Sequence, residues 1–205
     1  MFRMRTWLLT LTTVFCLSSA ALAESAGEIT RLVGGAFAFT GESSRNLELG
    51  GTLEAGERIL TAPGARVGIR FVDGTQITLG GLTDFEVQRF RFEPAERRGE
   101  ALFSLVRGVF RAVTGELGAL PNKPFQVKTP LATIGIRGTD FWGEQSTNRL
   151  QLALLDGAGV IVVNRFGRVE ITRPGDGTLV VPGKAPSEPR PWSDTKLARA
   201  KATID

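Results

Sequence analysis

The sequence is poor in the residues on which most metal sites and many catalytic sites depend. It contains no histidine and no tyrosine, and Cys16 is the single cysteine among 205 residues. Such a chain has no imidazole, no internal disulfide, no zinc site of cysteines and histidines, and no Ser-His-Asp triad. The composition therefore disfavours a metalloenzyme or a triad hydrolase, and we expect no bound cofactor and no metal.

Long apolar runs are equally scarce. The one run of note, Trp7–Leu17, follows two arginines and precedes Ala21 and Ala23, which form an A-x-A cleavage site before Glu24. This order is typical of a secretory signal peptide, here residues 1–23, and the run is shorter than a good membrane span. We therefore expect a periplasmic or secreted protein whose mature chain does not span the membrane; an uncleaved membrane anchor is the alternative.

The rest of the chain has the pattern of short strands separated by turns. Glycine occurs 25 times, and runs rich in Val, Ile, Phe and Thr recur between Gly, Asp and Asn. Helical periodicity is confined to Glu100–Leu105, where Arg107 and Gly108 soon interrupt it. The pattern predicts an all-β protein with a single wound β domain over residues 24–181, either solenoid-like or sandwich-like.

The segment around Asp73 and Gly74 allows a prediction of strand register. A two-residue loop would place the apolar residues of the two flanking strands on opposite faces of the sheet. A three-residue loop, Val72–Gly74, pairs Ile69 with Ile77 and so keeps both apolar sets on one face. Gly74 suits the left-handed position that closes this loop, unless the segment is a solenoid corner rather than a hairpin.

An eight-residue segment occurs twice in similar form. Residues 63–70 recur as residues 130–137, with five identical positions and one Val/Ile exchange. The repeat predicts that Ile69 and Ile136 are both buried. It is typical of two equivalent layers of a wound β fold, in which Gly68 and Gly135 allow close backbone approach, and two ligand-facing strands are the alternative.

Proline dominates the start of the C-terminal segment, residues 182–205. Four prolines between residues 182 and 191 are typical of an extended linker along the surface. Ser193 is placed to cap a short helix through Ala202, with Trp192 as the residue that attaches it to the domain. A disordered tail is the alternative.

The central part of the sequence resembles a known family. Residues Phe125–Phe141, which include Thr129-Pro130 and Arg137-Gly138-Thr139, are similar to the signature of FecR-type periplasmic domains. The resemblance extends to Gly56–Thr61 and Phe71–Thr75, and covers about residues 27–164. The best-known members are transmembrane regulators that control an extracytoplasmic-function sigma factor and sense a protein partner in the periplasm. Only six residues precede the apolar run here, so the resemblance implies the periplasmic β domain exported without the anti-sigma part.

Three further patterns have some features of chemical sites. Asp84 and Glu86 share one strand face and could flank a sugar, but a solvated strand face is the commoner arrangement. Gly177–Lys184 has the wrong spacing for a phosphate-binding loop. Four arginines between residues 89 and 98 alternate with phenylalanines, yet nearby glutamates cancel their charge, so we expect an ion-paired edge and no nucleic-acid partner.

The candidate partner-binding residues are Arg137, Asp140 and Trp142. Arg137 could bind a carboxylate, and Trp142 could offer a flat surface to a sugar or a side chain. In the structural alternative, Arg137 pairs with Asp140 across a tight bend and Phe141 enters the core.

Together these patterns predict a non-enzymatic, exported module that binds a protein partner of the cell envelope. The alternative is a structural module that binds carbohydrate or the cell wall. The mature chain keeps few aromatic residues outside the expected core, and this mildly favours the protein-binding function.

Overall fold

The computed structural model describes residues 25–120 and 124–205, and strands make up most of this part of the chain. The predicted signal peptide, with Ala21 and Ala23, lies outside the described residues. The strands are β1 (Ser25–Val33), β2 (Ala36–Thr40), β3 (Ser43–Asn46), β4 (Thr52–Glu54), β5 (Arg58–Thr61), β6 (Arg66–Phe71), β7 (Gln76–Leu79), β8 (Asp84–Glu93), β9 (Arg98–Val113), β10 (Phe125–Lys128), β11 (Thr133–Ile136), β12 (Thr139–Ser146), β13 (Arg149–Gly157), β14 (Val160–Asn164), β15 (Gly167–Ile171), β16 (Asp176–Val180) and β17 (Arg190–Pro191). Two short 3-10 helices (Pro94–Glu96 and Glu116–Ala119) and one α-helix, α1 (Asp194–Ala202), complete the described elements.

The strands form two sheets that share β9. Sheet A has the order β4, β1, β6, β7, β9, β12, β13, β16, β17. Sheet B has the order β3, β2, β5, β8, β9, β10, β11, β14, β15.

The N-terminal part of β9 belongs to sheet B and its C-terminal part to sheet A. The strand crosses from one sheet to the other beside Gly108, which has φ +106°. Because Gly108 lies almost against the Thr83 backbone, a side chain there would clash as well as be strained.

The two sheets pack face to face around one apolar core. Phe71 of sheet A meets Phe103 of sheet B with ring centroids 5.2 Å apart, and Phe103 also contacts Phe85 and Phe125. Alternate residues of each strand point into this core, as period-two patterning requires. The all-β prediction is confirmed, and the face-to-face sheets match its sandwich-like form, while the chain passes repeatedly from one sheet to the other.

The predicted β6–β7 register is confirmed. Ile69 pairs with Ile77, both are buried, and the connecting turn has Gly74 at φ +81°. The segment Glu100–Leu105, the one stretch with helical periodicity, lies in strand β9 instead. Its alternate residues fill the core between the sheets, so tertiary packing decides its conformation.

The two copies of the repeat lie in different sheets. Ile69 in β6 of sheet A and Ile136 in β11 of sheet B are both buried, as the repeat predicts. The two glycines differ, however. A Cβ on Gly68 would come within 2.9 Å of the Arg31 Cβ, whereas a Cβ on Gly135 would meet no atom within 4 Å. The expectation of close backbone approach is therefore correct for Gly68 and wrong for Gly135.

The C-terminal segment is folded against sheet A. Helix α1 begins after Ser193, whose side chain accepts a hydrogen bond from the Lys196 amide, so the predicted capping residue is confirmed. Trp192 packs beneath the helix, and Arg31 of β1 donates a hydrogen bond to the Ile204 carbonyl at 3.3 Å. The segment covers part of the outer face of sheet A.

Candidate functional site

Arg137 and Asp140 do not pair with each other, so that part of the sequence interpretation is wrong. Asp140 on β12 accepts two hydrogen bonds from the Arg111 guanidinium, at 2.8 and 2.6 Å, because β12 lies beside β9 in sheet A. The hydrogen bond to Asp140 raises the pKa of Arg111, against the opposing effect of burial. A bidentate pair on adjacent strands leaves Asp140 little capacity for a partner.

Arg137 belongs to a different surface. Its side chain is half exposed in the turn between β11 and β12, and its nearest carboxylate is that of Glu170 on β15, at 3.4 Å. Arg168 lies 3.7 Å from the same carboxylate. A loose pair in solvent contributes little to stability, so Arg137 is available to a partner at the β15 side of the molecule.

Trp142 is 3% exposed and does not offer a flat surface. Its indole N–H donates to the Thr203 hydroxyl at 3.0 Å, and its ring lies edge to face against Trp192 at 5.8 Å. The Lys196 Nζ lies 3.5 Å from the centre of the Trp192 ring, and burial lowers the pKa of Lys196. The three candidate residues are therefore not brought together, and Trp142 becomes accessible only if the C-terminal segment moves.

The signature residues around Asp73 brace a turn. The buried Asp73 carboxylate accepts hydrogen bonds from the Thr75 amide (2.9 Å), the Thr75 hydroxyl (2.7 Å) and the Leu117 amide (3.2 Å). The Thr75 hydroxyl in turn accepts from the Gly115 amide at 3.0 Å. These bonds fix the segment after β9 to the β6–β7 turn, so the residues serve the fold.

The Arg137-Gly138-Thr139 segment is used in the same way. The Thr139 amide donates to the Thr114 hydroxyl at 2.8 Å, and the Thr139 hydroxyl donates to the Gly159 carbonyl at 2.8 Å. In this way Thr139 connects the end of β9 to the loop between β13 and β14. This part of the signature marks a junction of strands rather than a binding site.

Glu57 and Thr61, from the upstream part of the signature, are also buried and bonded. Arg45 holds the Glu57 carboxylate through two hydrogen bonds, at 3.0 and 2.9 Å. The Thr61 hydroxyl donates to the Gly80 carbonyl at 2.7 Å and accepts from the Thr83 amide at 2.8 Å. The buried polar side chains of the signature, Glu57, Thr61, Asp73 and Thr139, are therefore bonded internally and serve the fold rather than a partner.

Asp84 and Glu86 do not form a solvated pair of carboxylates. Asp84 is 4% exposed and accepts two hydrogen bonds from Arg58, at 2.7 and 2.5 Å. The bond to Asp84 raises the pKa of Arg58, although burial opposes this. Glu86 is half-buried and accepts a 3.3 Å hydrogen bond from Gln88. One carboxylate neutralised by arginine is unlike the acid and nucleophile pair of a glycosidase.

The arginine-rich hairpin formed by β8 and β9 is an ion-paired edge, as predicted. Arg89 contacts Glu100 at 2.9 Å, Arg91 contacts Glu93 at 3.7 Å, and Arg98 contacts Glu96 at 3.0 Å. These exposed pairs neutralise the stripe locally.

The open surface of the domain is the outer face of sheet B. Gly135 lies there between Gln126 of β10 and Ile161 of β14, and no atom lies within 4 Å of the position that its Cβ would occupy. Lys128 and Val163 are exposed on the same face. The alternating pattern of β10 gave the sequence signal for this face, whereas β14 is a continuous apolar run. Which side of a sheet remains uncovered depends on tertiary packing.

Two classes of site can be checked directly in residues 25–120 and 124–205. No group of three or more Asp, Glu, His or Cys side chains there is arranged to hold a metal ion. Within the same residues, no helix has the length and apolarity needed to cross a membrane.

The fold has counterparts among solved structures. Two crystal structures of a "putative anti-sigma factor" from Parabacteroides distasonis ATCC 8503, at 1.65 and 2.50 Å resolution, each match with a TM-score of 0.53 and 16% identity. Each match covers 69% of this chain and 62% of the other, so this chain matches less than two thirds of that protein. At this identity, the likeness defines the class of protein by fold alone.

The family is given by the sequence itself. Residues 57–158 match the family model described as FecR protein, within the 27–164 range of the resemblance. The chain is a member of the FecR family through this domain, and the predicted resemblance is confirmed. A search of curated proteins finds no significant match.

Proposed function

We propose that this FecR-domain chain is a non-enzymatic module of the cell envelope that binds a protein partner through the outer face of sheet B. The observation that carries the proposal is the open site at Gly135, which lies in the middle of that face without contacts to its Cβ position. The corresponding face of sheet A is partly covered by α1 and Trp192. Membership of a family of signalling regulators supports a signalling-derived role.

The composition of the face suits a protein partner. The exposed Val163 provides apolar area near Gly135, and Ile161 beside it is largely buried. Lys128, Arg168 and Glu170 provide charges of both signs around them. An apolar centre with a polar rim is the usual arrangement of a protein interface. Arg137, through its contact with Glu170, lies at the edge of this face and keeps its role as a candidate contact.

A carbohydrate-binding function is less well supported. The two described tryptophans pack against each other. The exposed phenylalanines are Phe37 in β2 and Phe166 in the β14–β15 turn, and these elements lie near opposite edges of sheet B. This arrangement offers no continuous aromatic platform for a sugar in the described part of the chain. The carboxylates also argue against hydrolysis, since Asp84 is bound to Arg58. Release of sugars from peptidoglycan by the purified protein would contradict the non-enzymatic proposal.

Affinity capture from an envelope extract tests the proposed face. Gly135→Trp adds a large side chain at a position whose Cβ would meet no atom within 4 Å. The fold should therefore persist while a partner on this face is displaced. Gln76→Trp is the matched control, since Gln76 is exposed on β7 of sheet A. We expect the wild type and Gln76→Trp to retain one shared protein that Gly135→Trp loses. Equal capture by all three would contradict the proposed face.

Export is the second element of the proposal. The Ala21 and Ala23 pattern supports cleavage before Glu24 and a periplasmic or secreted location. Mass analysis of the protein from cells that express the full chain should find Glu24 as the first residue. Retention of Met1 with recovery in the membrane fraction would contradict export as a cleaved protein.

A further inference from the structure

Eight chain segments meet at one end of the two-sheet domain. Strand pairing places these segments together, because the strands of both sheets end at the same level. The paired residues at this level are Val33 and Arg66, Leu79 and Phe110, Asp84 and Arg107, and Thr133 and Val163. We call this surface the basic end. It comprises residues 33–35, 62–65, 80–83, 105–108, 129–132, 146–149, 164–167 and 181–187.

The charge of the eight segments is positive. They contain no aspartate or glutamate, and they contain four basic residues, Arg107, Arg149, Arg165 and Lys184, all of them exposed. Four carboxylates lie beside the basic end. The exposed Glu188 directly follows the last segment, and the exposed Glu48 lies in the β3–β4 connection, next to Leu47, whose amide donates to the Ala36 carbonyl. Asp84 is buried against Arg58, and Asp205 lies on the outer face of sheet A, where Arg31 donates to its backbone carbonyl. The opposite end is of mixed charge: it carries the acidic residues Glu42, Asp73, Glu93, Glu96, Glu116, Asp156 and Asp176 and the exposed Arg97, Arg137 and Arg173.

Apolar side chains are exposed between these basic residues. Val33, Leu82, Val106 and Phe166 each come from a different segment of the basic end, and each is between 46% and 58% exposed. The Arg165 guanidinium lies 4.5 Å above the Phe166 ring, so a cation and an apolar ring occupy one turn. Leu82 keeps its exposed position with a φ of +57°, which is unfavourable for a leucine.

We propose that the basic end docks onto the surface of an anionic phospholipid membrane. Exposed apolar side chains can enter the boundary between headgroups and acyl chains, while lysine and arginine are attracted to anionic headgroups. Apolar and basic residues alternate here over turns from both sheets, and within the eight segments themselves no carboxylate pairs with a basic residue. A membrane of anionic phospholipids matches this pattern, because its surface is negatively charged and its interior is apolar.

The proposal is independent of the protein-binding function. The face around Gly135 is the side of sheet B, whereas the basic end is formed by the turns at which the strands finish. Docking by the turns therefore leaves the Gly135 face open to a partner protein.

Vesicle co-sedimentation of the full chain tests the proposal. Vesicles of phosphatidylglycerol and phosphatidylcholine in equal parts should bind the protein, and vesicles of phosphatidylcholine alone should bind it weakly. Arg149→Glu/Arg165→Glu should lower the partition coefficient on anionic vesicles about tenfold or more. Arg91→Glu/Arg98→Glu is the matched control, because it makes the same change in net charge on the β8–β9 hairpin, where both side chains are well exposed.

A second pair of variants tests the apolar contribution. Leu82 and Val72 are both 58% exposed, on turns at opposite ends of the molecule. Leu82→Asn should weaken vesicle binding, since asparagine tolerates positive φ but does not enter lipid, whereas Val72→Asn should not. Circular dichroism should show the same fold for all variants.

Three results would overturn the proposal. One is failure of the wild type to bind anionic vesicles, and another is equal loss of binding in the test and control variants. The third is that the wild type binds no vesicles but captures an envelope protein that Arg149→Glu/Arg165→Glu fails to capture. That result would make the basic end a protein interface. Loss of capture by Gly135→Trp bears only on the protein-binding face.

Discussion

Trp142 and Trp192 lie edge to face with ring centroids 5.8 Å apart, although fifty residues separate them in the chain. This contact, together with the hydrogen bond from Trp142 to Thr203, attaches the C-terminal segment to sheet A. It also explains why Trp142 is not a surface residue and why part of the outer face of sheet A is covered.

Trp192→Ala should detach the C-terminal segment. The change removes both the contact with Trp142 and the cation contact with Lys196, so we expect the free energy of unfolding to fall by about 2–3 kcal/mol. Trypsin should then cleave residues 190–201 faster. Trp192→Phe, which keeps an aromatic ring, should have a smaller effect. Unchanged stability and unchanged cleavage in Trp192→Ala would show that Trp192 does not hold the segment.

Gly74→Val tests the turn that sets the β6–β7 register. Valine at φ +81° is strained, so chemical denaturation should show a loss of roughly 1–2 kcal/mol. Gly135→Val is the control, because Gly135 has no positive φ and open space around its Cβ position; it should change stability by less than about 0.5 kcal/mol. Equal effects at the two glycines would contradict the left-handed turn.

The repeat predicts that shortening its buried isoleucine lowers the free energy of unfolding by a similar amount in each sheet. Ile69→Ala and Ile136→Ala should each lower the free energy of unfolding by roughly 2–5 kcal/mol, because each leaves a cavity in the core. Val163→Ala, at an exposed position, should cost less than about 0.5 kcal/mol. If either isoleucine variant behaves like Val163→Ala in denaturant melts, the equivalence of the two copies fails.

Arg58→Gln should uncover the buried carboxylate of Asp84. Loss of the two charged hydrogen bonds leaves that carboxylate without its cation, and we expect a loss of about 1–3 kcal/mol in urea unfolding. Arg89→Gln is the control, since the Arg89–Glu100 pair is exposed and should be worth less than about 1 kcal/mol. The reverse order of the two losses would contradict the structural role of Arg58.

Local patterns predicted the parts of the fold that depend on neighbouring residues. The three-residue turn before Thr75 followed from apolar alternation on both flanking strands, and the α1 cap followed from Ser193. The long strand β9 was not recognised over residues 98–108, because this stretch also permits helical periodicity and only packing between the sheets decides.

The candidate site was harder to predict for a physical reason. Arg137 and Asp140 are close in sequence, which favours a local pair. Instead, Asp140 pairs with Arg111 on the adjacent strand β9, and Arg137 pairs with Glu170 on β15, which is separated from β11 by β14. Sequence order does not reveal either partner. Trp142 alternates onto the outer face of β12, as its position implies, but its cover comes from residues 192–204. Long-range pairing and coverage decide exposure, and a single sequence contains little information about either.

The most direct test of the protein-binding face is photo-cross-linking in the cell at two matched glutamines. Gln126 is exposed on the outer face of sheet B, next to Gly135, and Gln76 is exposed on β7 of sheet A. A benzoylphenylalanine at position 126 should form an adduct with a specific envelope protein, and the same group at position 76 should not. No adduct at position 126, or the same adduct from both positions, would contradict the proposed face.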